Sequence, residues 1–379
     1  MPEIYLAFLG VLPWVGVLLV PWGPWRVREV LDSKVDPQKT VDLSDLTVLI
    51  PARDEAVTVQ SMLRALDAQG AGMKIVLIDD QSDDDTIRFA RAATQDLQII
   101  SVHALPTGWS GKLWALEQGR RYVHTPLTLL LDADIELRPG ILAALRERMQ
   151  QDNLALISLM ASLRMQSFWE RLLMPAFIYF FKLLYPFHLS NTPHCRQVAA
   201  AAGGCVLLRT RVLEEIGGFH SLRDALIDDC ALAERVKSLG HRTWVGLTHS
   251  VRSLRAYDDL AGIWNMVARS AFTQLHYSIV RLLACTAIFI IAFWIPPAAL
   301  MLPDAAVRMV AATTLGAMML SYLPTLRFYS RSPAWALVMP LIGSLYLAMT
   351  WTSAVRYWCG YRSCWKRRIY TKTLDPGSG

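Results

Sequence analysis

Charge is scarce in this chain. Only 18% of its 379 residues are Asp, Glu, Lys or Arg, against about a quarter in an ordinary soluble domain. Four long runs carry none at all: Ile4 to Trp25, Leu282 to Leu302, Met309 to Leu326 and Ser332 to Val355. The six cysteines (Cys195, Cys205, Cys230, Cys285, Cys359, Cys364) show no C-x-x-C spacing and no nearby histidine pair. That excludes a zinc ribbon or a disulfide framework and leaves reduced thiols. No basic tract with interleaved aromatics looks like a nucleic-acid surface. No P-loop glycine pattern is present either, which weighs against a nucleotidyltransferase. The first apolar run is too long for a secretory signal peptide and lacks its basic start and cleavage site.

What the chain has is apolar surface. It is 53% hydrophobic, contains 13 Trp and carries a net charge of +6, with a mean hydropathy of +0.29 and a pI near 9.0. That balance suits anionic lipid headgroups or a small anionic substrate. The three late runs each come near the length needed to cross a hydrocarbon core of roughly 30 Å. The first reads as a spanning or anchoring helix, kinked or shortened by Pro13, Pro21 and Pro24. The expected layout is an N-terminal anchor at 1–26, a catalytic domain at 27–278, membrane helices at 279–358 and a basic tail at 359–379. Arg26, Arg28 and Lys34 after the first helix place the domain in the cytoplasm. Three further crossings would send the tail outside, yet its basic residues should stay inside. One of the four segments is therefore expected to be re-entrant or interfacial, with the Pro296-Pro297 run as the candidate.

Between these runs the rhythm changes. Short apolar stretches (Leu46–Ile50, Ile75–Ile78, Leu97–Val102, Leu127–Leu131, Leu154–Met160) alternate with helical patterns at Val57–Gln69 and Asp84–Thr94. This predicts an α/β fold with a mostly parallel sheet flanked by helices. Such sheets bind ligands at the carboxyl ends of their strands.

That is where the acids fall. "TVLIPARDE" (47–55) ends in Pro51, Arg53, Asp54 and Glu55. "IVLIDDQSDDDT" (75–86) ends in Asp79 and Asp80. "LLLDADIEL" (129–137) holds Asp132 and Asp134, and "ALIDDCALAERVKSLGHR" (225–242) puts Asp228 and Asp229 at a helix start. One acid at such a place is ordinarily a helix cap. Several strand ends carrying acids would repel one another without a cation or ligand to gather them. A D-x-D at a strand break suits a hard cation, Mg2+ or Mn2+, that completes its shell with substrate phosphates. The pair at 228–229 would then supply a general base.

Together with "AAAGGCVLLRTRVLEEIGGF", these motifs resemble family 2 glycosyltransferases of the GT-A fold, in order and spacing over about residues 46–245. "PTGWSGKLWALEQG", "SLMASLRMQSFWERLLMPAFIYFFKLLYPF" and "RDALIDDCALAERVK" resemble more narrowly the hopene-associated glycosyltransferases of bacterial hopanoid gene clusters. Ceramide glucosyltransferases are similar at a greater distance. The resemblance implies that Pro51 and Glu55 lie by the nucleoside and Asp80 by the uracil or ribose. It implies that Asp132 contacts the ribose or donor sugar and that Asp134 ligates the metal. Asp229 takes the place of the inverting base, with Asp228 where the family has glutamate. Lys112 would meet the diphosphate or the acceptor, or else be a solvated lysine at a helix start.

Lipid-directed relatives carry a Q-x-x-R-W element, and "RSAFTQLHYS" (269–278) lacks Arg-Trp. Gln274 and Arg269 are the candidates there, unless the segment is only a membrane-edge helix packed by Phe272, Leu275 and Tyr277. The segment 167–189, broken by Pro175 and Pro186, reads as an interfacial amphipathic stretch or as a core helix pair; 258–278 is the second interfacial candidate. The expected protein is a multi-pass enzyme of the bacterial inner membrane that takes a nucleotide-sugar donor, UDP-linked. It would glycosylate a hydroxyl of a membrane lipid, a hopanoid on the narrower resemblance. The alternatives are a sphingolipid, carotenoid or polyprenyl phosphate acceptor, or a non-catalytic module that kept the fold.

Overall fold

The computed structural model describes residues 2–33, 41–223, 225, 227–360, 363–365 and 368–370. Lys34, Asp224, Leu226 and most of the basic tail lie outside the described residues.

Leu46–Ala52 (β1) is buried at every position, as a strand covered on both faces must be. Around it stand β2 (Lys74–Asp79), β3 (Leu97–Ser101), β4 (Leu127–Leu131), β5 (Ile135–Leu137), β6 (Leu156–Ser162), β7 (Cys205–Arg209) and β8 (Thr243–Ser253). Their order in one sheet is β3-β2-β1-β4-β7-β6-β8-β5. The ladders β1–β2, β1–β4, β2–β3 and β6–β8 are parallel, and β4–β7, β6–β7 and β5–β8 are antiparallel. The sheet is therefore mixed. Because β7 alone runs backwards between β4 and β6, the carboxyl ends of β1, β2, β4, β6 and β8 share one edge with the start of β7.

Alternate strand residues build two cores. Val48, Ile50, Leu77 and Leu129 pack with helices α2 (Val59–Asp67), α3 (Thr86–Ala93) and α5 (Ile141–Gln151). Leu49, Val76 and Ile78 pack with α4 (Gly111–Arg120) and α9 (Asp228–Ser238). Each fully buried aliphatic side chain contributes about 1.5–3 kcal/mol. The remaining helices of this half are α6 (Phe168–Leu184), α7 (Phe187–Asn191), α8 (Thr210–Glu215), α10 (Leu260–Ala268) and α11 (Ala271–Gln274).

The apolar runs fold as α1 (Pro2–Leu19), α12 (Ile279–Phe289), α13 (Ile295–Ala299), α14 (Ala305–Phe328) and α15 (Met339–Trp358). Three helical runs, Ile279–Ala299, Ala305–Phe328 and Pro333–Trp358, are long and apolar enough to cross a membrane. α1 contains Pro13 and stops at Leu19, before Pro21 and Pro24. Pro296-Pro297 does not interrupt its helix. The wider π turn Ile290–Trp294 comes just before it and accommodates the ring and the missing N–H.

α6 starts with a capping box between Ser167 and Glu170, keeps Pro175 inside the helix, and ends at Tyr185 before Pro186. Only Pro186 breaks this segment, because Pro175 is absorbed within the helix. α6 lies between the sheet and the apolar helices. Tyr179 Oη and Ser321 Oγ of α14 are 2.7 Å apart, and Tyr346 Oη of α15 donates to Leu173 O at 2.8 Å. α10 and α11 lie against α15 in the same way: Trp264 Nε1 donates to Thr352 Oγ1, and Phe272 N to Ser353 Oγ.

Candidate active site

The shared strand edge opens into a cleft of about 360 Å³. The break between β4 and β5 is clamped from two sides. Asp132 N donates to Gly204 O before β7, and Leu254 N after β8 donates to Asp134 O at 2.8 Å. These bonds fix where the D-x-D carboxylates point. Pro51, Glu55, Lys112, Asp132, Asp134 and the pair Asp228–Asp229 all line the cleft.

Two cations hold the acids together. Lys112 Nζ lies 2.8 Å from Asp132 Oδ1 and 3.6 Å from Asp228 Oδ2. Burial disfavours the Lys112 charge, but Asp132 and Asp228 outweigh it and raise its pKa. Lys112 is thus no solvated surface lysine. On the other side Arg255 Nε lies 2.8 Å from Asp134 Oδ2, and its Nη2 lies 3.3 Å from Glu55 Oε1. Burial raises the Asp132 pKa; Lys112 opposes that, and Asp134 adds to it.

Asp229 sits on the first turn of α9, where exposed backbone N–H groups favour a carboxylate. Its Oδ2 accepts from Gly203 N at 2.7 Å and its Oδ1 from Cys230 N at 2.8 Å. Burial, and after it the neighbouring Asp228 charge, raises its pKa to about 6 against the opposing pull of Lys112. A carboxylate with that pKa is ionised at neutral pH yet basic enough to take a proton. Gly203 is tightly enclosed, so a side chain there would push on its neighbours. A Cβ there would meet Asp229 Oδ2 and Lys112 Nζ, each at 3.3 Å.

The cleft has two characters. Glu55, Asp134 and Arg255 form one charged group of its lining, while Met160, Leu163, Phe177, Phe181 and Met266 supply apolar wall. Phe181 and Met160 belong to the same buried cluster as Cys230, next to the Asp229 carboxylate.

Not every candidate arrives at the cleft. Asp80 is fully buried, its Oδ2 3.8 Å from Arg53 Nη1, and it is not among the cleft's lining residues. Arg269 lines the cleft. Gln274 does not; its Oε1 accepts from Tyr185 Oη, and that phenol lies beside Cys230 and Asp229. Arg255, Gly203 and Tyr257 escaped the sequence reading. "VRSLRAY" (251–257) runs off the end of β8 in the same way as the acidic motifs run off theirs, so a search of strand ends for cations would have found Arg255.

The residues present fit a hard divalent cation. The donors are carboxylate oxygens, and both D-x-D acids already hold a positive group. No group of three His, Cys, Asp or Glu able to hold a metal occurs among the described residues. A cation on Asp134 would therefore take its other ligands from phosphate oxygens and water, as Mg2+ commonly does.

A GT-A type α/β sheet with acids and cations gathered at its carboxyl edge, joined to long apolar helices, defines a class of nucleotide-sugar-dependent transferase folds. The profile described as "Glycosyltransferase like family 2" matches residues 44–273, and the chain belongs to that family. The 4,4'-diaponeurosporenoate glycosyltransferase of Staphylococcus haemolyticus is 29% identical over 106 residues, 28% of this chain and 28% of that relative's length. The chain thus matches less than a third of this curated relative. Among solved structures, a mannosyltransferase from Pyrobaculum calidifontis in complex with GDP-mannose and Mn2+ is 17% identical. It superposes with a TM-score of 0.51 over 94% of this chain and 95% of that one. The likeness at that identity is one of fold. It extends through the apolar helices as well as the sheet.

Proposed function

We propose that this chain is a membrane-bound inverting glycosyltransferase that moves a sugar from a UDP-linked donor to a hydroxyl of a membrane lipid. The observation that carries this reading is the position of Asp229. A basic carboxylate, fixed by two backbone N–H groups, lines a cleft that carries both apolar side chains suited to a lipid and charged groups suited to a diphosphate.

In this reading Pro51 and Glu55 flank the nucleoside and Asp132 meets the ribose or donor sugar, while Asp80, fully buried beside Arg53, would reach the uracil or ribose only after a side-chain rearrangement. Asp229 accepts the proton of the acceptor hydroxyl as its oxygen bonds to the anomeric carbon and the bond to the diphosphate breaks. One displacement inverts the anomeric centre, and no covalent enzyme intermediate forms. Asp228 and Lys112 keep Asp229 in register, and Lys112 is close enough to follow the diphosphate or acceptor. A Mg2+ or Mn2+ ion held by Asp134 supplies neutralisation of charge on the leaving diphosphate. Arg269 and Gln274 lie on the membrane side, one lining the cleft and one behind the base.

The lipid acceptor is supported by the apolar wall and by its attachment through α6 and α10 to helices able to enter a bilayer. The hopanoid assignment rests on the narrower sequence resemblance. A second acceptor reading, a polyene acid of the diaponeurosporenoate kind, is favoured by the name of the S. haemolyticus relative. The enzyme would sit in a bacterial cytoplasmic membrane with the sheet domain in the cytoplasm. The test is transfer by purified protein offered a panel of UDP-sugars and lipid extracts, with mass spectrometry of the products. Asp229→Asn should abolish transfer while donor binding survives; turnover retained in that variant would sink the assignment.

A further inference from the structure

We propose that Arg255 is a built-in counter-cation: it occupies the Asp134 carboxylate while the donor is absent, competes there with the divalent metal, and passes to the diphosphate when the metal-donor pair enters. This rests on the reading of Asp134 as the metal's ligand.

Asp134 and Glu55 stand at the ends of different strands, β4 and β1, and their side chains are 13% and 12% exposed. Two nearly buried carboxylates facing one cleft repel each other unless a cation bridges them. Arg255 does so with two different nitrogens, Nε to Asp134 Oδ2 at 2.8 Å and Nη2 to Glu55 Oε1 at 3.3 Å. The Arg255 side chain is 37% exposed and lines the cleft. It is therefore the most open member of the trio, and an incoming ion meets it first.

The backbone around it is fixed. Leu254 N donates to Asp134 O, and β8 pairs with β5 as far as Ser253 with Ile135. Exchange of partners thus needs only side-chain rotation. A divalent ion on Asp134 and a guanidinium 2.8 Å from the same carboxylate oppose one another electrostatically. Once displaced, the planar fork of N–H donors has the shape that suits phosphate oxygens. The metal without its donor is then a poor competitor, and metal and nucleotide bind best together.

The experiment is Mn2+ binding to full-length detergent-solubilised protein, read by the electron paramagnetic resonance of free Mn2+, with and without UDP. Arg255→Gln should bind Mn2+ without UDP about tenfold more tightly than the parent, because a competing charge is gone. At saturating Mn2+ the same variant should bind UDP about tenfold more weakly, having lost a phosphate ligand. Arg255→Lys keeps the charge and should fall between the two, which separates these effects from misfolding. Mn2+ affinity equal to or weaker than the parent's in Arg255→Gln overturns the competition, and unchanged UDP affinity overturns the transfer to the diphosphate. Asp134→Asn, alone and combined with Arg255→Gln, should remove the bound Mn2+. If binding survives both, the ligand reading of Asp134 fails, and this inference fails with it.

Discussion

Gly203 and Asp229 are locked together: the glycine N–H donates to Asp229 Oδ2 at 2.7 Å, and a methyl group on the glycine would press on that same oxygen at 3.3 Å. The candidate base is thus held by backbone from β7's approach, not by a side chain that could rotate away. Gly203→Ala should lower kcat on the order of tenfold, since displacing a catalytic group by a fraction of an ångström loses orientation. UDP affinity should fall by less than kcat does, because Lys112, which the added Cβ also meets at 3.3 Å, is one of several charged groups lining the cleft. Steady-state transfer with matched UDP titrations measures both.

A second expectation concerns pH. Asp229 must be ionised to accept a proton, so kcat/KM should rise with pH through about 6, the value to which burial and Asp228 raise its pKa. Asp228→Asn removes the neighbouring negative charge, and the acid limb should move to lower pH by roughly one unit. Removing the positive charge with Lys112→Met should move it the opposite way. A pH-rate profile of each variant reads the shift separately from any loss of maximal rate. Limbs that coincide in all three proteins would assign the titration to another group.

These site features differ in how far the sequence revealed them. β1, β2 and β4 are legible because burial on both faces forces continuous apolar runs, and the acids at their ends follow from where such sheets bind. The Leu154–Met160 run is displaced by two residues, to Leu156–Ser162, because Ala155 N donates to Arg242 O in the turn before β6. Asp80 looked like its neighbours in sequence, but it is fully buried beside Arg53 and away from the cleft. Nothing in a one-dimensional pattern distinguishes an acid facing the cleft from one turned beneath it. Arg255 lies 121 residues from Asp134 and 200 from Glu55, and only the sheet order, with β8 beside β5, unites them.

The junction between sheet and apolar helices contains a histidine in a doubly donating position. His249 Nδ1 lies 2.9 Å from Asp32 Oδ2, and Nε2 lies 2.8 Å from Phe328 O at the end of α14. Both acceptors want an N–H, so the imidazolium fits the site and the neutral ring satisfies only one of them. Burial and Arg138 oppose the charge, but the bonds to Phe328 O and Asp32 prevail and raise the His249 pKa above 6.5. Burial opposes the Asp32 charge as well, and the His249 bonds overcome it to lower the Asp32 pKa below 3.8. A raised histidine pKa gives stability that is complete below the unfolded value of about 6.5 and lost as pH rises through the folded one. A lowered aspartate pKa gives stability present above about 3.8 and lost on acidification through the folded value. The joint contribution is therefore full between those two unfolded values. Thermal unfolding of the parent should show a lower midpoint at pH 8.5 than at pH 6, and His249→Gln should flatten that difference.

The last apolar helix begins and ends on the catalytic domain. At its start, Arg331 Nη1 donates to Met165 O at 3.5 Å and Trp335 makes an edge contact with Phe168. At its end, Arg356 Nη2 donates to Asn265 Oδ1 at 2.7 Å, and Ser353 Oγ accepts from Phe272 N. A straight helix of the 20 residues Met339–Trp358 spans about 30 Å, the thickness of a hydrocarbon core. Were it to cross, one of these two contacts would lie on the far side of the bilayer from the sheet. Both contacts survive if Pro333–Trp358 is the segment that returns or lies along the interface, in place of the Pro296-Pro297 run. The basic residues after it then stay on the catalytic side, in accord with the charge rule for membrane topology. A variant with exposed Cys359 as its sole cysteine, compared with one carrying only Arg88→Cys on the sheet domain, tests the arrangement. A membrane-impermeant maleimide added to sealed vesicles should label both from the same face. Labelling of the two from opposite faces would make Pro333–Trp358 a full crossing.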